Sequence, residues 1–214
     1  MRVTALALVS ALVLISGCNQ QHLEIFPPLE DEGLIDRPLS VPRMHEDIDA
    51  FINRATAIHP DISAYADKDA IRIETERLKR EIDHPLSRVE FYRKVGQLNH
   101  LLGDGHSQLL WPYPEFERLK AEGHRTFPFE VVLTREGELR IAREYRYRET
   151  VIAAGSSILS VNGVSAPALL EILQRYAGGE SLALREHAVA RRFGRNLWAS
   201  LGMLDEFTLE LELD

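Results

Sequence analysis

The chain has 214 residues, 45% of them hydrophobic, and its 33 acidic against 25 basic side chains give a formal charge of −8. That apolar content is enough to build a core and excludes a disordered chain, and the length allows one domain or two small ones. The acidic balance excludes a nucleic-acid face, which must displace counterions with clustered cations, and a polybasic membrane surface.

The first segment reads as a leader rather than as part of the fold. Arg2 is a minimal positive start, and residues 3–15 form an apolar run of about 13 residues, the size of a secretion-signal core and too short to span a bilayer. The run ends in Leu14, Ile15, Ser16, Gly17 and Cys18, the only cysteine in the chain. A lone cysteine in an exported chain makes no internal disulfide and needs another use. The stretch resembles the bacterial lipobox, which implies a signal peptide over residues 1–17 and diacylglycerol on the Cys18 thiol. Stable anchoring takes more than one acyl chain, which a fully acylated terminus has. Asn19 follows, and in lipoproteins of the enterobacterial type a residue other than Asp there implies the outer membrane, with the chain facing the periplasm.

Residues 18–42 contain Pro27, Pro28, Pro38 and Pro42 with little periodicity, so an extended tether is expected. Helical spacing begins with Met44, Ile48, Phe51, Ile52, Ala55 and Ile58 and stops at Pro60. Ile71, Thr75, Leu78 and Ile82 mark a second helix before Pro85. Ser87 and Glu90 form a capping box for a third, whose face is Phe91, Val95, Leu98 and Leu102. Gly103, Asp104 and Gly105 end it. Residues 107–111 suit a short strand, and residues 114–122 suit a fourth helix with Pro114 at its start and Gly123 after its end. The result is a helical module over residues 43–124.

From Phe127 the period becomes two. Phe127, Phe129, Val131 and Leu133 alternate, as do Leu139 and Ile141, with a hairpin turn over residues 135–138. Residues 157–161 form another strand, running into the strong turn signal Asn162-Gly163. Residues 166–177 read as a helix closed by Gly178 and Gly179. Residues 184–201 read as one further helix with a basic face of Arg185, Arg191, Arg192 and Arg195. That face either binds an acidic partner or is simply solvated. Phe207, Leu209, Leu211 and Leu213 alternate to the end of the chain, with no polar tail, as expected of a chain cut short.

Two stretches carry a resemblance. The first runs Leu98-Asn99-His100-Leu101-Leu102-Gly103-Asp104-Gly105-His106-Ser107. The second runs Gly155-Ser156-Ser157-Ile158-Leu159-Ser160-Val161-Asn162-Gly163 and leads into a helix. Together they resemble the N-terminal half of the C-terminal-processing peptidase family, which includes the tricorn-like serine peptidases. The resemblance implies an α+β fold: a small helical bundle over residues 43–124, then a PDZ-like, β-rich domain over residues 125–214, the α/β catalytic domain being absent. It implies that His106 is the general base for a serine, while members with a lysine base do not need this histidine. The nucleophile would belong to the absent domain, so this chain alone is expected to be inactive. Polypeptide is the expected substrate or ligand, and neither metal nor cofactor is required. Read without the resemblance, His106 is a turn histidine bonding backbone carbonyls, and the alternative for the chain is a non-catalytic, peptide- or protein-binding envelope lipoprotein.

Other chemistries find less support. His100, Asp104 and His106 lack the spacing of a zinc motif. No Gly-x-Ser-x-Gly elbow or phosphate-cradling loop occurs. Ser181 reads as a helix cap, and Trp111 and Trp198 read as packing residues. The segment Arg125-Thr126-Phe127-Pro128-Phe129 stands where a PDZ carboxylate loop would be, and its proline removes a donor.

Overall fold

A computed structural model describes residue 29 and residues 31–212. The expected signal peptide, Cys18, most of the expected tether and Leu213 lie outside the described residues. Two units divide the chain, Met1–Ile35 and Asp36–Asp214. The described part of the first holds one 3-10 turn, Glu32–Leu34. The second is mixed α+β, with seven helices and two small antiparallel sheets among the described residues.

Helix α1, Val41–Ile58, begins earlier than the expected end of the tether. Pro42 lies in its first turn, where no amide donor is needed. Met44 and Ile48 are fully buried, but Ile58, the last residue of the expected apolar face, is exposed. Helix α2, Lys68–Glu81, starts at Asp67, whose carboxylate accepts the amides of Asp69 and Ala70. It buries Ile71, Thr75 and Leu78. Helix α3, Arg88–Val95, carries the capping box of Ser87 and Glu90.

The third helix was expected to run on to Leu102. Instead it tightens into a 3-10 helix, Gly96–Leu102. Three residues per turn place every third side chain in one row, and Gly96, Asn99 and Leu102 are all buried. A Cβ on Gly96 would lie 2.9 Å from the Tyr176 ring. Packing against this distant tyrosine overrides the helical period.

Helix α4, Tyr113–Ala121, has Pro114 in its first turn. Its buried Glu115 accepts from Arg88 Nε at 2.6 Å, tying α4 to the start of α3. Residues 107–111 form no strand. Their backbone is irregular and is held by a side chain: Asn99 accepts the Leu109 amide at 2.6 Å and donates to the Leu109 and Tyr176 carbonyls, both at 3.0 Å.

The larger sheet contains β1 Val131–Leu133, β2 Leu139–Ile141, β5 Ser157–Val161, β6 Val164–Ser165 and β7 Leu209–Glu212. β5 is central: Ser157 pairs with Arg140 on β2, Ser160 with Ser165 on β6, and β7 runs antiparallel along it. Asn162 and Gly163 both have positive φ, 51° and 78°, as a tight primed turn requires. A hairpin absent from the sequence reading, β3 Tyr145–Tyr147 with β4 Thr150–Ile152, forms the second sheet. Phe127 and Phe129 lie outside β1. Phe127 packs edge-on against Phe129, Phe193 and Phe207, with ring centres 5.2–5.5 Å apart.

Helix α5, Ala166–Leu173, covers the sheet core through Leu169 and Leu173. The single helix expected over residues 184–201 is two: α6, Leu182–Arg191, and α7, Phe193–Leu201. The break is at Arg192, at φ −133° and ψ 35°. Gly194 sits against the Phe127 carbonyl, where a Cβ would come within 2.8 Å. α7 then buries Phe193 and Leu197 with the sheet, and Trp198 and Ala199 beside Tyr92 of α3.

Replacing Asn99 with alanine strands one backbone donor and two acceptors, at about 1–3 kcal/mol for each buried group. Urea denaturation of Asn99→Ala is expected to show a loss of about 3–5 kcal/mol.

Candidate functional site

The site grows from the chain reversal after the 3-10 helix. Gly103 has φ 60°, and a Cβ there would lie 2.7 Å from the Tyr65 carbonyl oxygen. Both the left-handed geometry and the close approach require glycine. Gly178 backs the same turn from the other side, where a Cβ would come within 2.6 Å of the Asp104 carbonyl.

Asp104 organises what lies between. Its Oδ1 accepts the His106 amide at 2.9 Å, and its Oδ2 accepts the Ser107 hydroxyl at 2.6 Å. His106 Nδ1 stands 3.3 Å from Oδ1, and His59 Nε2 stands 3.6 Å from Oδ2. Burial works to raise the Asp104 carboxyl, but hydrogen bonds from Ser107 and His106 outweigh it and hold the group below its ordinary value.

The His106 ring is almost fully exposed, at 95%, while the Asp104 side chain is 13% exposed. A carboxylate beside Nδ1 favours the tautomer with its proton there and leaves the Nε2 lone pair outward. This is the geometry of a proton acceptor open to an incoming group. Among the described residues no serine hydroxyl bonds to the ring. Ser107 is engaged with Asp104, and Ser160 donates to Glu210.

His106 and Ser107 stand at the lip of a cleft of about 650 Å³. Phe51, Ala55 and Ile58 of α1 form one wall, and Leu109, Leu110, Trp111 and Tyr113 form another. It is lined mainly by apolar groups, with Arg54, Asp47 and Arg88 as its charges. Such a surface suits a ligand with apolar groups.

His100 is not part of this group. Its Nδ1 is 2.6 Å from the Gln97 carbonyl, and burial lowers its pKa and keeps it neutral. Glu180, which the sequence reading did not single out, does reach the turn. Asp104, His106 and Glu180 each offer one ligand atom, all within 4.8 Å of one another. Glu180 and His106 are exposed, so the arrangement is open on the solvent side, and a cation there would compete with a proton for His106.

The segment from Arg125 is tied to Asp205. The Arg125 amide donates to Asp205 Oδ1 at 2.8 Å, and its carbonyl accepts the Asp205 amide. Ser181 caps α6 through the Leu184 amide, as its position suggested. The signals missed in sequence were Asn99 and Gly178, whose partners lie far along the chain.

No family model, curated protein or solved structure matches this chain.

The Asp104 carboxyl is held below its ordinary value of 3.8 when folded. Its contribution to stability is therefore complete at pH values above that of the unfolded group and is lost as pH falls through the folded value. The stability gap between wild type and Asp104→Asn is expected to be constant near neutral pH and to close below about pH 4, measured by denaturation at each pH.

Proposed function

We propose that this chain is the base-carrying, substrate-facing part of a lipid-anchored serine peptidase of the C-terminal-processing type. The observation that carries the reading is the exposed His106 imidazole, backed by a nearly buried carboxylate, at the lip of an apolar cleft. In this role Nε2 takes the proton of a serine hydroxyl as that oxygen attacks a peptide carbonyl, and then returns it to the leaving amine. Asp104 is a positioning residue that holds the ring. The serine comes from outside the described residues, on the same polypeptide or on a partner. Hydrolysis of this kind needs neither metal nor cofactor.

The finer architecture belongs to the same proposal. The helices before residue 124 would be the small bundle of this family, and the sheet with α5 its PDZ-like part. β1 is an end strand of the larger sheet, pairing only with β2 among the described residues, and strand addition there is the proposed mode of peptide capture. A second reading, a non-catalytic peptide-binding lipoprotein, is favoured by the cleft alone, since its apolar walls need no histidine.

Activity labelling separates the two. Envelope fractions carrying a tagged chain are treated with a fluorophosphonate. The peptidase reading expects a labelled serine that purifies with the tag, and labelling about 100- to 10,000-fold slower in His106→Ala. Absence of a labelled serine, or labelling indifferent to His106, leaves the peptide-binding reading.

The anchor rests on the sequence, and no described helix is long and apolar enough to cross a membrane. Placement at the outer membrane, facing the periplasm, is part of the proposal. Cells fed a radiolabelled fatty acid are expected to label the wild-type chain and not Cys18→Ala.

A further inference from the structure

A smaller cavity, of about 200 Å³, lies between the 177–178 segment and the junction of α6 and α7. Its walls include Gly105, Gln108 and Gly178, and three guanidinium groups line it: Arg191, Arg192 and Arg195. They lie within five residues of one another, at the break between α6 and α7.

The three arginines are out of electrostatic balance. The chain holds more acidic than basic side chains, yet no carboxylate pairs with any of the three among the described residues. Arg195 is largely buried. Its Nε has no hydrogen-bond partner among the described residues, and Nη2 donates only to Asn196 Oδ1, at 3.0 Å. Its guanidinium lies 3.8 Å above the Trp111 ring, which fixes its plane. Burial, and then the neighbouring Arg192 charge, pull its pKa down to about 10. Arg192 is at once the C-cap of α6, where a cation is favoured, and the residue before α7, where it is not. An anion would offset both the burial of the Arg195 charge and its repulsion from Arg192.

We propose that the cavity lined by Arg191, Arg192 and Arg195 binds a small oxyanion, a carboxylate or a phosphate. The forked guanidinium donors match either group. The cavity, at about 200 Å³, has room for such a group. The site is independent of the peptidase reading. It touches the functional turn, since Gly105 and Gln108 flank His106 and Ser107.

The test is calorimetric titration of the full chain at fixed ionic strength. The probes are inorganic phosphate, an N-acetylated dipeptide with a free carboxylate, and the same dipeptide as its amide. Saturable binding is expected for phosphate, for the peptide acid or for both, and not for the amide. Phosphate alone identifies a free inorganic anion, and the peptide acid alone identifies a chain terminus. Arg191→Gln/Arg192→Gln, both exposed positions, is expected to weaken that binding about tenfold or more while circular dichroism stays unchanged. Failure of both anions to bind the wild type, or equal affinity in the double variant, overturns the site.

Discussion

The buried amide of Asn99 joins three parts of the chain that no local rule brings together. Its carboxamide bonds the Leu109 amide, the Leu109 carbonyl and the Tyr176 carbonyl. The segment carrying His106 has no helix or strand of its own at residues 103–112, so its backbone groups must find partners elsewhere. Asn99 supplies them from the 3-10 helix, and the Tyr176 contact locks that helix to the region after α5. Tyr176 adds a second link, its hydroxyl donating to the Arg93 carbonyl at 2.7 Å. A wholly apolar side chain at 99 would fill the space and leave these groups unpaired.

Packing supports the same junction. Trp198 of α7 and Tyr92 of α3 are buried in one cluster with Trp111 and Phe116 against them. Arg93 donates to the carbonyls of Trp198 and Ala199, placing a cation where the end of α7 carries negative partial charge. The helices before residue 124 and the sheet region after it therefore share side chains. The His106 turn lies close to that seam, held by Gly178 on one side and Tyr65 on the other. A loop so fixed can present an exposed histidine in a defined place, which catalysis by proton transfer requires.

Charge is handled differently on the two sides of the turn. Asp104 is an anion with its hydrogen bonds met, and so stays ionised although little exposed. Arg195 is a cation with an aromatic plate and few hydrogen bonds. The first arrangement is complete in itself and serves a neighbour. The second is incomplete, and a small anion completes it.

Much of the fold is legible in the sequence because its signals are short in range. The capping box at Ser87, the primed turn at Asn162-Gly163 and the apolar stripes of α1 and α2 involve residues within a few positions of one another, so a local reading finds them. The exposed setting of His106 after a glycine turn belongs to the same class. Tertiary structure decided the rest. It rewound residues 96–102 to a period of three, divided the expected helix at Arg192, dissolved the expected strand at 107–111 and gathered three arginines around one cavity. In each case the deciding partner lies on a distant segment: Tyr176 for Gly96 and Asn99, Phe127 for Gly194, Trp111 for Arg195. A pattern of nearby residues states what a segment prefers, and only the surface it meets states which preference is given up.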